Sequence, residues 1–330
     1  MPMAEIAINA GFKSIRQFNH AVRTTAGQSP SELRRLRSEL PMSHQGEFVM
    51  RLLYRPPFDW PALIAFLRAR ATPGVEVVGE SRYRRTVEID GKAGVIDVRL
   101  DAKNSFLVVR MALPKYEGLL RAVERVRRVF DLGADPLQIV AHLSRDPMLK
   151  PLLDKHPGLR VPGVWDGFEV AVRAILGQRL TTVDSNALAG ELVRRFGRPA
   201  ETSVHGLTHL FPRPEDLARA ELAPLGIAGA RAASIKALSR ALCKNQFLLE
   251  SARSLQDTIA NLTAVDGIDI EMANYIAMRA GGEPDAFPLN DQELGEVRRM
   301  PAKQMLSRDE AWRPWRAYAA MHLWAANTTF

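Results

Sequence analysis

The stretch DAFPLNDQELGEV, residues 285–297, sets one carboxylate, Asp291, at the start of a predicted helix. The partial positive charge of a helix N-terminus favours the ionised form of such a group. A fixed anion can stabilise positive charge that develops in a transition state. Position alone also fits a plain helix cap, because Asp is favoured at that place. Just upstream, LTAVDGIDIEMANYIAMRA (262–280) reads as two helices joined by a tight hairpin, and LRVPGVWDGFEVAVRAILGQ (159–178) lies further back. Other chemistry is thinly represented. The histidines at 20, 44, 142, 156, 205, 209 and 322 are scattered, and the His205–His209 pair has no third ligand nearby. No Gly-rich phosphate loop, Ser-His-Asp signature or dinucleotide fingerprint is present, so neither a metal nor a cofactor is expected. The single cysteine, Cys243, excludes intrachain disulfides and a four-cysteine cluster made by this chain alone. Its helical setting suggests buried packing.

The elements that must position these residues fall into three parts, 1–40, 47–115 and 116–330. Residues 1–40 read as three short helices. Gly11 ends the first, Ser14 and Gln17 form a capping box for the second, and Ser29, Pro30 and Glu32 start the third. After a linker at 41–47, FVMRLLY, RYRRTVEI, GVIDVRL and SFLVVRMAL alternate like strands. Asp90–Gly91 marks a hairpin turn and Lys103–Asn104 another, while DWPALIAFLRARA reads as an amphipathic helix. From 117 onward the pattern is helical, with helices over 136–145, 166–178, 182–196, 214–223, 229–244, 254–263, 271–280, 291–299 and 308–326. Gly197, Gly226 and Gly281 stand where helix stops belong. The fold class is therefore α+β, mostly α: a small antiparallel-sheet domain followed by an all-helical one.

Composition narrows the partners. The 330 residues are 46% hydrophobic and 25% charged, which supports packed cores, and the net charge is +8. A basic balance favours polyanions, of which nucleic acid is the commonest, although it also fits a merely well-solvated protein. No apolar run reaches the ~18 residues of a membrane span, and the N-terminus lacks a signal-peptide pattern. A soluble, cytoplasmic monomer without membrane contact is expected.

Taken together, the three quoted stretches resemble the AlkA-type 3-methyladenine DNA glycosylase II family, over roughly residues 47–326. The resemblance implies a helix-hairpin-helix enzyme that binds double-stranded DNA containing alkylated bases, at the nucleoid when bound. Such an enzyme flips the damaged nucleotide and hydrolyses its N-glycosidic bond. Asp291 matches the family's catalytic Asp in DAF-x-x-x-D. For the base pocket, the resemblance points to Phe66, Tyr275 and Trp324, which keep aromatic character, and to Glu271 and Gln292, which replace aromatics. A carboxylate at 271 would favour cationic lesions. Gln178 and Arg179, in ILGQRLTT, match the loop that wedges into DNA. Gly267, Ile268 and Asp269 match the phosphate-holding hairpin, where the family reads Leu-Pro-Gly-Ile-Gly. Asp266 replaces the proline, Asp269 the second glycine and Glu271 the tryptophan, so three acidic groups surround a site meant for an anion. The segment IEMANYIAMRAGGEP has no lysine, which argues against a Schiff-base lyase route. The pattern AEIAINAGFKSIRQFNHAVRTTAGQSPSELRR resembles one half of an AraC-type helix-turn-helix, with Arg16, Gln17, Asn19 and His20 on the recognition helix. The acidic hairpin and this half-unit leave an alternative open: a weakly active or non-catalytic DNA-binding protein descended from a regulator–glycosylase fusion.

Overall fold

The computed structural model describes residues 14–26, 29–31, 47–113, 118–247, 249, 254–288 and 308–327. Gly11, Glu32, Asp291, Gln292 and the helix expected over 291–299 lie outside the described residues. Helix α1 (Ile15–Ala26) packs on the first strand and on a later helix, with Phe18 buried and Ser14 accepting from the Gln17 N–H at 3.1 Å.

Five antiparallel strands follow: β1 (Glu47–Leu53), β2 (Glu76–Val78), β3 (Arg82–Ile89), β4 (Lys92–Asp101) and β5 (Phe106–Ala112), in spatial order β1-β5-β4-β3-β2. Four are the strands expected from alternation; β2 is too short for a periodic signal. The β3–β4 hairpin closes on Asp90 (φ 50°) and Gly91 (φ 76°), the two positive φ values that a type I′ turn needs. At the second turn, residues Ala102–Asn104 form a 3₁₀ turn and Ser105 takes the left-handed conformation.

Helix α2 (Trp60–Ala69) connects β1 to β2. Asp59 caps it by accepting from Ala62 N–H at 3.1 Å. Trp60, Leu63, Ile64 and Leu67 pack into the core beneath the sheet, while Ala62 and Phe66 belong to a separate core in the helical part. The helix is thus buried on two sides, which explains its high apolar content. Each such side chain contributes about 1.5–3 kcal/mol on burial.

The helical part comprises α3 (Leu119–Val129), α4 (Pro136–Leu143), α5 (Lys150–Lys155), α6 (Gly167–Gly177), α7 (Thr182–Phe196), α8 (Pro214–Leu217), α9 (Gly229–Cys243), α10 (Leu255–Thr263), α11 (Ile270–Ile276) and α12 (Arg316–Asn327). Helix α3 packs into the core of the sheet. One helical core gathers around α12, another around α6, α9 and α11. The helix expected over 214–223 is confined to α8. The one expected over 308–326 breaks near Pro314, which lacks the N–H and disfavours helix at the preceding residue. Helix α11 runs into a π turn, Ala277–Gly281, and Gly282 rather than Gly281 supplies the left-handed stop. Cys243 is exposed at the end of α9, not buried as its helical pattern suggested.

A buried ionic cluster fastens the sheet to the helices. Arg85 on β3 bonds Glu169 on α6 at 2.7 Å and lies 3.7 Å from Glu76 on β2, which also faces Arg173 of α6 at 3.6 Å. Tyr83 donates its hydroxyl to Glu76 at 2.5 Å, and the Thr72 N–H donates to the other oxygen at 3.0 Å. Burial works against the Glu76 charge, but Arg85 and Arg173 win and hold the carboxyl below its usual range. Glu169 goes the other way: burial raises it despite Arg85.

Candidate active site and DNA interface

The fold brings three distant aromatic residues together. Phe66 from α2 and Trp324 from α12 lie nearly parallel, with ring centroids 6.4 Å apart and an interplanar angle of 20°. Tyr275 from α11 approaches Trp324 at 6.2 Å and 57°. Phe66 and Trp324 are only 0% and 1% exposed, whereas Tyr275 is half-buried. Glu271 lies one helical turn before Tyr275, hence on the same face of α11, and is half-buried.

Arg279, which sequence patterning did not single out, holds this group in place. It follows Tyr275 by one turn and donates to the tyrosine hydroxyl at 2.8 Å and to the Pro162 carbonyl. Its guanidinium carbon sits 4.8 Å from the Phe66 ring centroid and 5.6 Å from that of Tyr275. Burial pushes its pKa down, yet the hydrogen bonds and ring faces provide the partners a buried cation needs. Arg70, at the end of α2, sits 4.0 Å from the Phe66 centroid. An arginine in a helical pattern ordinarily reads as solvated surface, so neither residue gave a signal.

The segment that leads toward Asp291 is clamped up to the last residue described before it, Pro288. Asp285 bonds Arg316 at 2.8 Å and Arg313 at 2.7 Å, and Arg316 also donates to the Asp285 carbonyl at 2.9 Å. The Ala317 N–H donates to Pro284 O at 2.9 Å. Phe287 packs edge-on to Trp312 at 5.7 Å, and its N–H donates to the side-chain oxygen of Asn274 at 3.2 Å. Asn274 neighbours Tyr275, so this segment is pinned to the helix that carries the aromatic cluster. In the sequence Asp291 comes three residues after Pro288; it and Gln292 are not among the described residues.

The hairpin between α10 and α11 keeps its shape despite its acidic residues. Val265 and Ile268 are buried, and the Ile268 N–H donates to Val265 O at 3.1 Å. Gly267 takes φ +85°, and a Cβ there would stand 1.9 Å from the Ser234 hydroxyl, so glycine is required on both counts. Asp269, which stands in place of the family's second glycine, has φ −82°, an ordinary conformation for any residue. Its carboxylate accepts from the Met272 N–H at 2.8 Å and caps α11. Asp266 and Asp269 are both exposed.

The loop after α6 is tied to this hairpin. Gln178 donates from its side-chain amide to Gly267 O at 3.3 Å, and Arg231 donates to Gln178 O at 2.6 Å. Arg179 is exposed with φ +57°, a left-handed conformation that costs a non-glycine residue about 1–2 kcal/mol. The left-handed residue directly follows the anchored Gln178. On α1, Arg16, Gln17, Asn19 and His20 are all exposed.

The sheet-plus-helices architecture and its hairpin are those of the helix-hairpin-helix DNA glycosylases. The 3-methyladenine DNA glycosylase from Archaeoglobus fulgidus superposes with a TM-score of 0.72 at 19% identity, covering 83% of this chain and 97% of that one. A Clostridium acetobutylicum 8-oxoguanine glycosylase/lyase bound to double-stranded DNA gives 0.65 at 18% identity, covering 86% and 95%. Residues 49–166 match the model of the AlkA N-terminal domain family. The DNA-3-methyladenine glycosylase 2 of Escherichia coli K12 is 30% identical over 278 residues, covering 83% of this chain and 95% of that protein. The chain belongs to the AlkA-type DNA-3-methyladenine glycosylase family. Two Mycobacterium tuberculosis proteins described as probable bifunctional transcriptional activator/DNA repair enzyme AlkA are 36% identical over 332 residues. These alignments cover 98% of this chain, which spans 66% of the length of those relatives.

Proposed function

We propose that this protein is a monofunctional DNA glycosylase that excises alkylated purines of the 3-methyladenine type from duplex DNA. The observation that carries the reading is the convergence of Phe66, Tyr275 and Trp324 beside the clamped segment that leads to Asp291, in a chain of this family. Tyr275, the partly exposed member of the aromatic cluster, supplies a stacking face for a base swung out of the helix and is backed by the buried Trp324. Arg179 fills the gap the base leaves, and its strained turn is held by Gln178 and Arg231. An N3- or N7-alkylated purine already carries positive charge and departs without being protonated. As the C1′–N bond breaks, its electron pair leaves with the base and positive charge grows on the sugar. Asp291 stabilises that charge, and water attacks C1′ and gives up a proton. With no lysine between Ile270 and Pro284, no covalent imine forms.

The non-catalytic reading leans on the acidic hairpin. Asp269 acts there as a helix cap, so its presence does not by itself signal decay of the site. The test is a duplex carrying one 7-methylguanine. Free base and an intact abasic strand that breaks only on alkali treatment are expected. Strand scission without alkali, or no release at all, overturns the reading.

A further inference from the structure

The five-stranded sheet buries one face against α2 and α3, and the paired row Tyr83, Val98, Val109 and Met50 points into that core. The neighbours of these residues point the other way. On that outer face Arg82 pairs with Arg99, Arg99 with Val108 and Val108 with Arg51. In the next outward row Arg84 pairs with Asp97, and Asp97 with Arg110. Two adjacent rows thus carry five guanidinium groups against one carboxylate. Arg51, Arg99 and Arg110 are exposed, and Arg82 and Arg84 partly so. Asp97 bonds Arg82 at 2.8 Å and lies 3.8 Å from Arg99, while Arg51 lies 5.3 Å from the Phe106 ring centroid. Asp101 and Glu47 stand one row further on at either end, Glu47 at 3.7 Å from Arg110. Beyond them Glu88 is taken up by Arg198, at 2.6 Å, and by Arg213. The band is therefore positive after its carboxylates are counted.

Guanidinium groups suit phosphate, which they bind through paired N–H donors. Protein interfaces, by contrast, deplete charge at their centres, where this band concentrates it. Four strands span ~14 Å across the band. At one phosphate per 3.4 Å of axis, that length faces about four phosphates of one DNA strand. The band looks away from the aromatic cluster: α2 packs Trp60 and Leu63 beneath the sheet and turns Phe66 to the other core. DNA on the outer face is then a stretch other than the one whose base reaches Tyr275. We propose that the outer face of the sheet is a second DNA-backbone surface, which holds an undamaged duplex segment while the aromatic site engages a lesion. Only the second clause rests on the glycosylase reading above; the face stands on its own charge and geometry.

The full chain is loaded on an immobilised duplex with one abasic site and then offered a dye-labelled undamaged duplex. The wild type is compared with Arg51→Gln/Arg99→Gln/Arg110→Gln and with the same three residues changed to lysine. All three are exposed, which suits them to substitution; Arg99→Gln/Arg110→Gln replaces the glutamine triple if the latter fails to melt cooperatively. The wild type is expected to recruit the second duplex and to lose about tenfold or more of that binding between about 50 and 200 mM salt. The glutamine variant should stay on the immobilised duplex, recruit the second one about tenfold less, and release 7-methylguanine at the wild-type rate under saturating enzyme. The lysine variant, which keeps the charge, should recruit within about threefold of wild type. No recruitment by the wild type, equal recruitment by the glutamine variant, equal losses in both variants, or recruitment of single-stranded but not duplex DNA overturns the proposal. Wild-type protein that recruits the second duplex yet releases no 7-methylguanine overturns the glycosylase reading and leaves the second surface standing.

Discussion

The side-chain oxygen of Asn274 accepts a hydrogen bond from the backbone N–H of Phe287 at 3.2 Å. The bond joins the helix that bears Tyr275 to the segment that runs toward Asp291. It ties the helix of the stacking group to Phe287, four residues before the proposed charge-stabilising group in the sequence.

Breaking that bond should therefore affect chemistry more than binding. Asn274→Leu leaves the Phe287 N–H without its acceptor, at a cost of about 1–3 kcal/mol in stability. Single-turnover base release is expected to fall by about tenfold or more, because small misplacements of a reacting group are costly. Affinity for an abasic duplex should change little. Asn274→Asp, which keeps an acceptor oxygen, should recover most of the rate. Equal losses in both variants would show that the bond does not position the segment.

The acidic hairpin separates two roles of one residue. Asp269→Asn keeps the cap on α11 and removes a charge from the face proposed to meet DNA phosphate. DNA binding should tighten by about 1 kcal/mol or less at low salt, with the gain shrinking as salt rises. Asp269→Ala removes the cap and should lower stability by about 1 kcal/mol. Thermal melts and binding constants at two salt concentrations check both. Unchanged DNA affinity of Asp269→Asn at low salt would place phosphate elsewhere.

His322, two residues before Trp324 on α12, is 3% exposed, and burial lowers its pKa to about 4. The folded value lies below the unfolded one of 6.5, so the unfolded chain takes up the proton first. The stability carried by neutral His322 is complete above pH 6.5 and is lost as pH falls from 6.5 toward about 4. Across that window the loss is on the order of 3 kcal/mol. In His322→Leu the unfolding free energy should fall less steeply between pH 6.5 and 4.5, as read from urea titrations over about that range. An equally steep decline in the variant would assign the acid sensitivity to other groups.

Much of this architecture could be read from the sequence because local signals agreed with it. Alternation marked four strands, Asp90–Gly91 marked a hairpin, and 3.6-residue periodicity marked most helices. Family resemblance, not periodicity, picked out Phe66, Tyr275 and Trp324 as partners, since they lie 209 and 49 positions from one another along the chain. The arginines were silent for a physical reason: nothing local distinguishes a solvated Arg70 or Arg279 from one laid against a ring. At Asp269 the sequence shows a carboxylate in place of the family's glycine, and only the structure shows that φ there is ordinary and that the carboxylate caps α11. Cys243 shows the limit of pattern reading, since a helix end can face water within an otherwise apolar run.

We propose that one carboxylate, Asp291, carries the electrostatic work of base release. The most direct measurement compares single-turnover release of 3-methyladenine from methylated duplex DNA by the wild type and by Asp291→Asn, with DNA affinity and melting temperature recorded for both. A fall in rate of about 100-fold or more, with the fold and most of the affinity retained, is the expected result. Release by Asp291→Asn at close to the wild-type rate would contradict it.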